Sequence, residues 1–335
     1  MNRFLLFILV LTSPALLYAQ PDPQAEESPQ GIPVLQDTRL KVGLGFLVQH
    51  QLNVTGNTSA ARQLSFSFPT ARLRLNSVWE GRIKLFMQAD FVRSPSILDA
   101  QLTIPIVDNL ELDAGLFKSP FSREFLLFPE DLPFAERSRV VQALAPNRQI
   151  GVALRLRLLE DQLTLEAGAF NGNGAVLESN DNDQFMYTAR LNWTRPFSVG
   201  GAQVGINGAY SEDTLVDIPS IGFSNGERIV LGADGEIVTA SWLVRVEFIA
   251  ASFGAGSVID TAYGYTATVG YKLFGMHQFY AAFDVLDRGF GETEYGMVSY
   301  KAYLTDILQV LANYRFALAN PDLGYATLRL QVAFR

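Results

Sequence analysis

The feature of this sequence that constrains its fold most is a two-residue alternation of apolar and polar side chains, which starts near residue 39 and recurs to the last residue. In the first such segment, Leu40, Val42 and Leu44 alternate with Lys41 and Gly43. Successive side chains of a β-strand point to opposite faces of its sheet, so a period of two indicates strands with one apolar and one polar face. The chain is therefore predicted to be all-β.

Two architectures contain such strands, namely a soluble sandwich with apolar faces inward and a membrane barrel with apolar faces outward. The segments are about ten residues long, the length of a tilted strand that crosses a bilayer. Outer-membrane barrels have short periplasmic turns and long outer loops. The sequence alternates short turns, such as 107–109, with longer connections, which are 51–63, 118–148, 172–184 and 252–261. We therefore favour a transmembrane antiparallel β-barrel, with the soluble sandwich as the alternative.

The strand count depends on one ambiguous stretch. Fifteen segments are evident from the two ends of the chain, and an even number is required if both termini lie on the periplasmic side. The segment 228–238 supplies another strand if a turn lies near 239–241, whereas a turn at 234–235 is the rival placement. The first placement gives a barrel of about sixteen strands.

The strand count also places the aromatic residues near the strand ends. It places Trp79, Trp193 and Trp242 at periplasmic strand ends, with their side chains pointing outward. Because indole prefers the headgroup level, we expect all three to lie there. The last strand ends in the near-terminal Phe334, which we expect to be recognised during insertion into the membrane.

Composition excludes several classes of function. The chain of 335 residues has no cysteine, so disulfide scaffolds, zinc–thiolate sites and thiol catalysis are excluded. Its formal net charge of -8 argues against a nucleic-acid partner. His50 and His277 lie far apart in the sequence, and no catalytic group, metal or cofactor is predicted. Glu178, Asp181 and Asp183 could hold calcium, but a solvated loop is the better interpretation.

The N-terminus has the charge, apolar stretch and small-residue site of a secretory signal peptide, which we place at residues 1–19. Residues 20–38 are rich in Pro, Gln and Glu and are predicted to be a flexible periplasmic segment. Residues 39–335 form the barrel. Export combined with a barrel predicts the outer membrane of a Gram-negative bacterium, with its lipid as a partner.

The centre of the chain carries the most specific motifs, which are AGLFKSPFSRE at 114–124, FAERS at 134–138, APNRQIG at 145–151 and GAFNG at 168–172. In this order and spacing they resemble the phosphate-selective porin O and P family. The resemblance implies a sixteen-stranded, trimeric diffusion channel whose third outer loop folds inward to narrow the pore.

The connection at 118–148 fits that constriction loop. A structureless connection of this length needs a functional reason in a compact protein. Phe121, Phe125 and Phe128 would be unfavourable on a solvated outer loop, and prolines such as Pro120 keep the segment out of the sheet. A loop across the barrel mouth or at a trimer contact is the alternative.

The candidate pore-lining and anion-binding residues are the basic side chains that face the lumen in this arrangement. Rings of Arg and Lys favour anions, and the Arg fork suits phosphate oxygens. Lys118, within the matched motif, is the best single candidate. The full set comprises Arg72, Arg74, Arg82, Lys84, Lys118, Arg123, Arg137, Arg148, Arg155 and Arg157. The alternative is that these charges are paired with lumen acids such as Asp90 and Glu111.

The predicted function is passive diffusion of small hydrophilic solutes, with anions such as phosphate or polyphosphate as candidates. The chain is not predicted to be an enzyme. An outer-membrane barrel with a non-channel role, either a hydrolase or a structural or adhesive protein, is the alternative.

Overall fold

Sixteen antiparallel strands close into a barrel, because the last strand pairs with the first long strand of the chain. The computed structural model describes residues 31–57, 60–92, 96–175, 180–319 and 324–334. The strands of the barrel are β2 (Leu40–Asn57), β3 (Ala60–Trp79), β4 (Ile83–Asp90), β5 (Ser96–Val107), β6 (Leu110–Lys118), β7 (Arg148–Leu158), β8 (Leu163–Phe170), β9 (Met186–Phe197), β10 (Gly200–Ile218), β11 (Gly222–Thr239), β12 (Trp242–Phe253), β13 (Thr261–Leu273), β14 (His277–Asp287), β15 (Glu292–Tyr303), β16 (Leu308–Ala317) and β17 (Tyr325–Phe334). The predicted fold class is confirmed. No helix among the described residues is long and apolar enough to cross a membrane.

The alternation in the sequence separates the two faces of the barrel wall. On β12, Val246 is 51% exposed and points outward, whereas the adjacent Arg245 is 5% exposed and points into the barrel. The neighbouring strands repeat this pattern in register, so the outer face is apolar and the inner face is polar. An apolar outer face is what the hydrocarbon of a bilayer requires of a barrel.

The two ends of the barrel differ as predicted. At the end that carries β17's last residue, the strands are joined by short turns such as 80–82 and 240–241. We call this the turn end. The opposite end, the loop end, carries the connection 119–147 between β6 and β7 and the connection 171–185 between β8 and β9.

The predicted loop at 51–63 is wrong. Most of this segment continues β2 and β3 as a long hairpin, in which Leu52 pairs with Phe66 and Val54 pairs with Leu64. The register of β2 and β3 shifts between Gln49 and Gln51, while β2 stays paired with β17 as far as Thr55. The other long connection, predicted at 252–261, shortens to 254–260.

The turn between β11 and β12 resolves the ambiguous stretch. Gly235 lies inside β11 and pairs with Val204 and Val246, so the chain continues straight through the rival turn position. The turn falls at 240–241, where the Thr239 hydroxyl accepts a hydrogen bond of 2.9 Å from the Trp242 N–H. The placement that gave sixteen strands is therefore confirmed.

The segment predicted to be flexible, 20–38, contains a short strand, β1 (Ile32–Gln36). β1 pairs with β2 from Leu44 to Lys41, directly beyond the point where β17 ends opposite Phe46. β1 therefore continues the line of β17 and satisfies backbone groups that the edge of β2 would otherwise leave unpaired. Composition did not indicate this pairing. The signal peptide prediction lies outside the described residues, as does 20–30.

The connection 119–147 lies inside the barrel, as the fold prediction required. It contains α1 (Arg123–Leu126), a single 3-10 turn (Pro129–Asp131) and α2 (Arg139–Leu144). Its apolar side chains pack against inward-facing residues of the wall to form an internal core. Members of this core include Phe121, Phe125, Val140, Val141 and Leu144 of the loop, and Val230, Ile249 and Leu286 of β11, β12 and β14.

Candidate permeation site inside the barrel

The loop is tied to the barrel wall at two places. Glu130 forms an ion pair with Arg74 of β3, and both side chains are almost fully buried. Four strands away from β3 around the wall, the Lys301 ammonium of β15 donates to the backbone oxygens of Glu130 and Leu132 at 2.8 and 2.9 Å. The segment around the 3-10 turn therefore bridges β3 and β15.

Wall side chains also accept hydrogen bonds from backbone N–H groups of the loop. The carboxylate of Glu247 accepts from the Glu124 N–H at 3.1 Å, and that of Asp284 accepts from the Arg139 N–H at 2.8 Å. The Glu124 carboxylate in turn accepts from the N–H and the hydroxyl of Ser138, both at 2.7 Å. Because buried backbone groups need partners, these contacts allow irregular chain to lie within the barrel.

Next to the loop, a cavity of about 520 Å³ separates it from the wall made by β3 to β8. We call this cavity the passage. Its lining residues are Arg74, Asn76, Lys84, Phe86, Asp99, Gln101, Asp113, Phe117, Lys118, Pro120, Leu126, Phe128, Ala153, Arg155 and Glu166. Four of the ten candidate cations line it directly: Arg74, Lys84, Lys118 and Arg155.

Candidate cations toward the loop end of the passage are paired with acids. Arg72 lies 3.0 Å from Asp90. Arg148 donates to both oxygens of Asp99 at 2.9 and 3.1 Å, a two-pronged contact that fixes the guanidinium in its plane.

Candidate cations toward the turn end share a second group of acids. The Arg155 guanidinium contacts Asp113 and Glu166, each at 2.8 Å, and also reaches Glu111 at 3.3 Å. Glu111 is further paired with Arg157, and it lies 3.6 Å from Lys84. The charges of this group largely cancel one another.

Lys118 and Arg137 differ from the other candidates. Lys118 Nζ donates to the carbonyl oxygens of Leu126 and Leu127 at 3.0 and 2.7 Å. Arg137 donates to three carbonyl oxygens of the same loop, including that of Leu127 at 2.7 Å. Within the described part of the chain, neither has a carboxylate oxygen within 4.0 Å.

Arg137 is surrounded by like charges as well as by the loop. Burial lowers the pKa of Arg137 to about 10, and the charges of Arg148 and Arg72 act in the same direction, while Glu124 opposes them. A guanidinium with that pKa stays protonated at neutral pH. Arg72, Lys118, Arg137 and Arg148 lie close together, and we call them the cation cluster.

Two candidates lie away from this group. Arg82 is in the turn after β3, where its side chain is 64% exposed and lies 3.7 Å from Asp108. Arg123 is on the opposite side of the loop, 3.0 Å from Glu236 of β11. Glu130 and Lys301, which hold the loop, are not among the residues predicted from the sequence. An inward lysine within the alternation of β15 was the available signal for Lys301.

The two histidines are on the outer face of the barrel. His50 stacks on Phe66 with 5.5 Å between ring centres, and His277 Nδ1 lies 2.7 Å from the Tyr300 hydroxyl. Asp181 and Asp183 are exposed in the β8–β9 connection, and Glu178 lies outside the described residues. In the described ranges, no group of three or more acidic or histidine side chains is placed to hold a metal.

Residues 41–234 match the sequence profile of the family described as Phosphate-selective porin O and P. The chain belongs to this family. The match covers more than half of the sequence, from β2 to the middle of β11, and includes the whole internal loop. No curated protein sequence matches the chain.

Solved porin structures share the fold of this porin-family chain. An anion-selective porin from Comamonas acidovorans superposes with a TM-score of 0.66 at 10% identity, covering 88% of this chain and 100% of that one. The outer-membrane channel DcaP of Acinetobacter baumannii gives 0.64 at 13% identity, covering 89% and 99%. OmpT of Vibrio cholerae, in a trimer form, gives 0.59 at 11% identity, covering 88% and 100%. Family and fold together are those of an outer-membrane channel.

Proposed function

We propose that small hydrophilic solutes diffuse through this barrel along the passage beside the internal loop. The observation that carries the proposal is a cavity of about 520 Å³ with a charged and polar wall, inside a barrel whose outer face is apolar. A charged inner surface favours water and small solutes over lipid. The protein then acts without catalysis, in the outer membrane of a Gram-negative cell.

We further propose a preference for anions, with phosphate and polyphosphate among the candidate solutes. The net charge of the chain is negative, so this preference must come from local placement. The cation cluster supplies it, because Arg137 stays protonated and, among the described residues, has no carboxylate oxygen within 4.0 Å. A ring of Arg or Lys at a narrow point favours anions.

The test is a planar-bilayer recording under a KCl gradient. We expect stepwise conductance and a reversal potential whose sign reports higher permeability for chloride than for potassium. Arg137→Gln should move the potential toward zero because it removes one charge of the cation cluster. Lys272→Gln removes an exposed lysine near the turn end of β13 and should leave the potential unchanged.

A potassium preference in the wild type would contradict the anion proposal while leaving the channel intact. A folded protein without stepwise conductance would contradict the channel itself. That result would favour the alternative of a barrel hydrolase or a structural or adhesive barrel.

We also propose that the chain forms a homotrimer, supported by the trimer form of the Vibrio cholerae relative in fold. The long hairpin of β2 and β3 offers a surface for such an assembly. Leu52, Val54, Leu64 and Phe66 point outward on it, and we call them the hairpin patch. Leu52 and Val54 also line an apolar groove that continues across the outer face of β14 to β17.

A further inference from the structure

The loop end of the lumen contains a second group of arginines, away from the passage. Arg315 of β16 lies opposite Tyr325, the first residue of β17, and Arg329 follows further along β17. Arg139 of α2 is near them, because the charges of Arg139 and Arg315 both act on the Tyr325 hydroxyl. Among the described residues, neither Arg139 nor Arg329 has a carboxylate oxygen within 4.0 Å. We call Arg139, Arg315 and Arg329 the mouth arginines.

Glu136 of the loop is the acid that faces the mouth arginines. The Tyr325 hydroxyl donates a hydrogen bond of 2.9 Å to Glu136 Oε2, and Arg315 Nη1 lies 3.7 Å from the same oxygen. The charge of Glu136 also acts on Arg329. One carboxylate is therefore shared among three guanidinium groups.

Glu136 is held loosely in this position. Its side chain is 49% exposed, so water and solutes reach it. A close contact between arginine and a carboxylate has a distance of about 2.8 Å, well below the 3.7 Å to Arg315. The loop backbone sets the position of Glu136, whereas a free carboxylate can move closer. Because exposed ion pairs contribute little, the carboxylate of a solute can replace that of Glu136 at small cost.

Arg139 provides donors that the protein itself does not use. Its guanidinium carbon lies 4.8 Å from the centre of the Tyr295 ring, and within the described part of the chain the guanidinium has no hydrogen-bond acceptor. The nearby Asp284 is fully buried and accepts the backbone N–H of Arg139. A guanidinium has five N–H donors, and contact with an aromatic ring leaves them available to oxygen.

We propose that Arg139, Arg315 and the Tyr325 hydroxyl form a binding site for small carboxylates at the loop end of the lumen, where Glu136 acts as a tethered competitor. We call it the mouth site. This inference rests on the proposed channel function and names a solute class for it. A solute carboxylate displaces that of Glu136, accepts hydrogen bonds from Tyr325 and Arg315, and pairs with Arg139. The displaced Glu136 side chain turns toward the solvent.

The experiment measures single-channel conductance in planar bilayers at rising concentrations of potassium acetate. A site that binds acetate makes the conductance saturate. Glu136→Gln removes the competitor and should lower the half-saturating concentration roughly two- to fivefold, the range set by an exposed ion pair. Arg139→Gln should raise that concentration at least about threefold, because a hydrogen bond to a charged group is lost.

A charge-neutral variant separates direct binding from long-range attraction. In the Glu136→Gln background, Tyr325→Phe removes one donor of the mouth site without changing any charge. It should raise the half-saturating acetate concentration at least about twofold. Glu294→Gln is the matched control, because Glu294 is an exposed acid at the loop end of β15 with no place in the mouth site, and it should leave the value unchanged.

The outcomes distinguish the mouth site from the channel itself. Chloride conductance together with an acetate conductance that does not saturate would overturn the mouth site alone. An unchanged half-saturating concentration in Glu136→Gln would overturn the tethered competitor. If Tyr325→Phe had no effect in the Glu136→Gln background, the site would also be overturned, since only long-range charge would remain. Absence of any conductance would overturn the channel and the mouth site together.

Discussion

At the scale of single residues, charges inside the barrel are held by ion-pair partners on nearby strands. Arg190 of β9 pairs with Asp234 of β11, and Arg245 of β12 pairs with Glu236. A buried charge that loses its partner keeps its desolvation cost, whereas the intact pair offsets that cost. The paired side chains of the lumen are therefore held in place and are not freely available to bind solutes.

The Arg74–Glu130 pair gives the sharpest residue-scale prediction. Glu130→Gln keeps the shape but leaves the Arg74 charge buried without a carboxylate, a change worth about 3–5 kcal/mol in buried pairs. We expect the loop to detach locally, which limited trypsin cleavage after Arg137 or Arg139 would detect in the folded barrel. The double variant Arg74→Gln, Glu130→Gln removes both charges and should be cleaved more slowly than Glu130→Gln.

The control for this prediction is Arg82→Gln, which removes an exposed arginine 3.7 Å from Asp108. Exposed ion pairs contribute little, so cleavage should match that of the wild type. Equal cleavage of Glu130→Gln and wild type would show that the remaining contacts, including those of Lys301, hold the loop without this pair.

At this scale the sequence predicts which way a side chain points, but not which residue it pairs with. Alternation correctly indicated that Arg72, Arg74 and Lys84 face the lumen. It could not indicate that Glu130 meets Arg74, because the loop has no periodicity and the contact depends on how it folds across the barrel. Alternation likewise places Phe86 inward but does not indicate its ring partner, because Phe128 comes from the loop. Anion binding by the ten cations stays a prediction.

At the scale of elements, the strands were predictable because the alternation that defines them is local. The hairpin of β2 and β3 was not predictable in the same way. The sequence at 55–61 has many small and polar residues, which indicate a loop by composition. Antiparallel pairing satisfies backbone groups whatever the side chains, and the hairpin extends on that basis.

The hairpin patch extends beyond the reach of lipid. Phe66 lies about 13 residues before Trp79 on β3. With a rise of about 3.3 Å per residue and a tilt near 40°, it stands about 33 Å above the turn end, against an apolar band of about 25 Å. Leu64 and Phe66 are nevertheless 69% and 74% exposed. Exposed apolar surface outside the bilayer favours a protein partner.

We therefore expect the double variant Leu64→Ser, Phe66→Ser to shift the protein from trimer toward monomer in mild detergent, measured by light scattering of the purified barrel. Phe223→Ser is the matched control, because Phe223 is an exposed outward residue of the other long hairpin, β10–β11. An unchanged trimer in the double variant would place the subunit interface elsewhere on the barrel.

At the scale of the whole molecule, the barrel is asymmetric inside. The internal core fills the lumen next to β11, β12 and β14, while the passage follows β3 to β8. The alternation of the sequence does not distinguish these two halves. On both of them it indicates only that a side chain points away from the lipid. The difference depends on which part of the wall the apolar side of the loop contacts. That contact is tertiary, so no local sequence pattern predicts it.

The position of the whole barrel in the bilayer gives the last prediction. Trp79 ends β3 and Trp242 begins β12, and both point outward at the turn end, where Trp242 packs on Tyr271. Trp193 also points outward, but β9 continues about four residues past it, or about 10 Å along the membrane normal. Its neighbour across the sheet is Leu163, the first residue of β8, so locally Trp193 still marks the rim.

We expect all three tryptophans to lie at one headgroup level, because indole prefers that zone and β9 then extends beyond it into the periplasm. The measurement is depth-dependent fluorescence quenching by brominated lipids on three variants that each retain one tryptophan, with the others changed to Phe. Shallow bromines should quench each of them best. If Trp193 alone were quenched best by deeply placed bromines, the prediction would be wrong. The edge of the bilayer would then lie at the end of β9, with β9 embedded to its last residue.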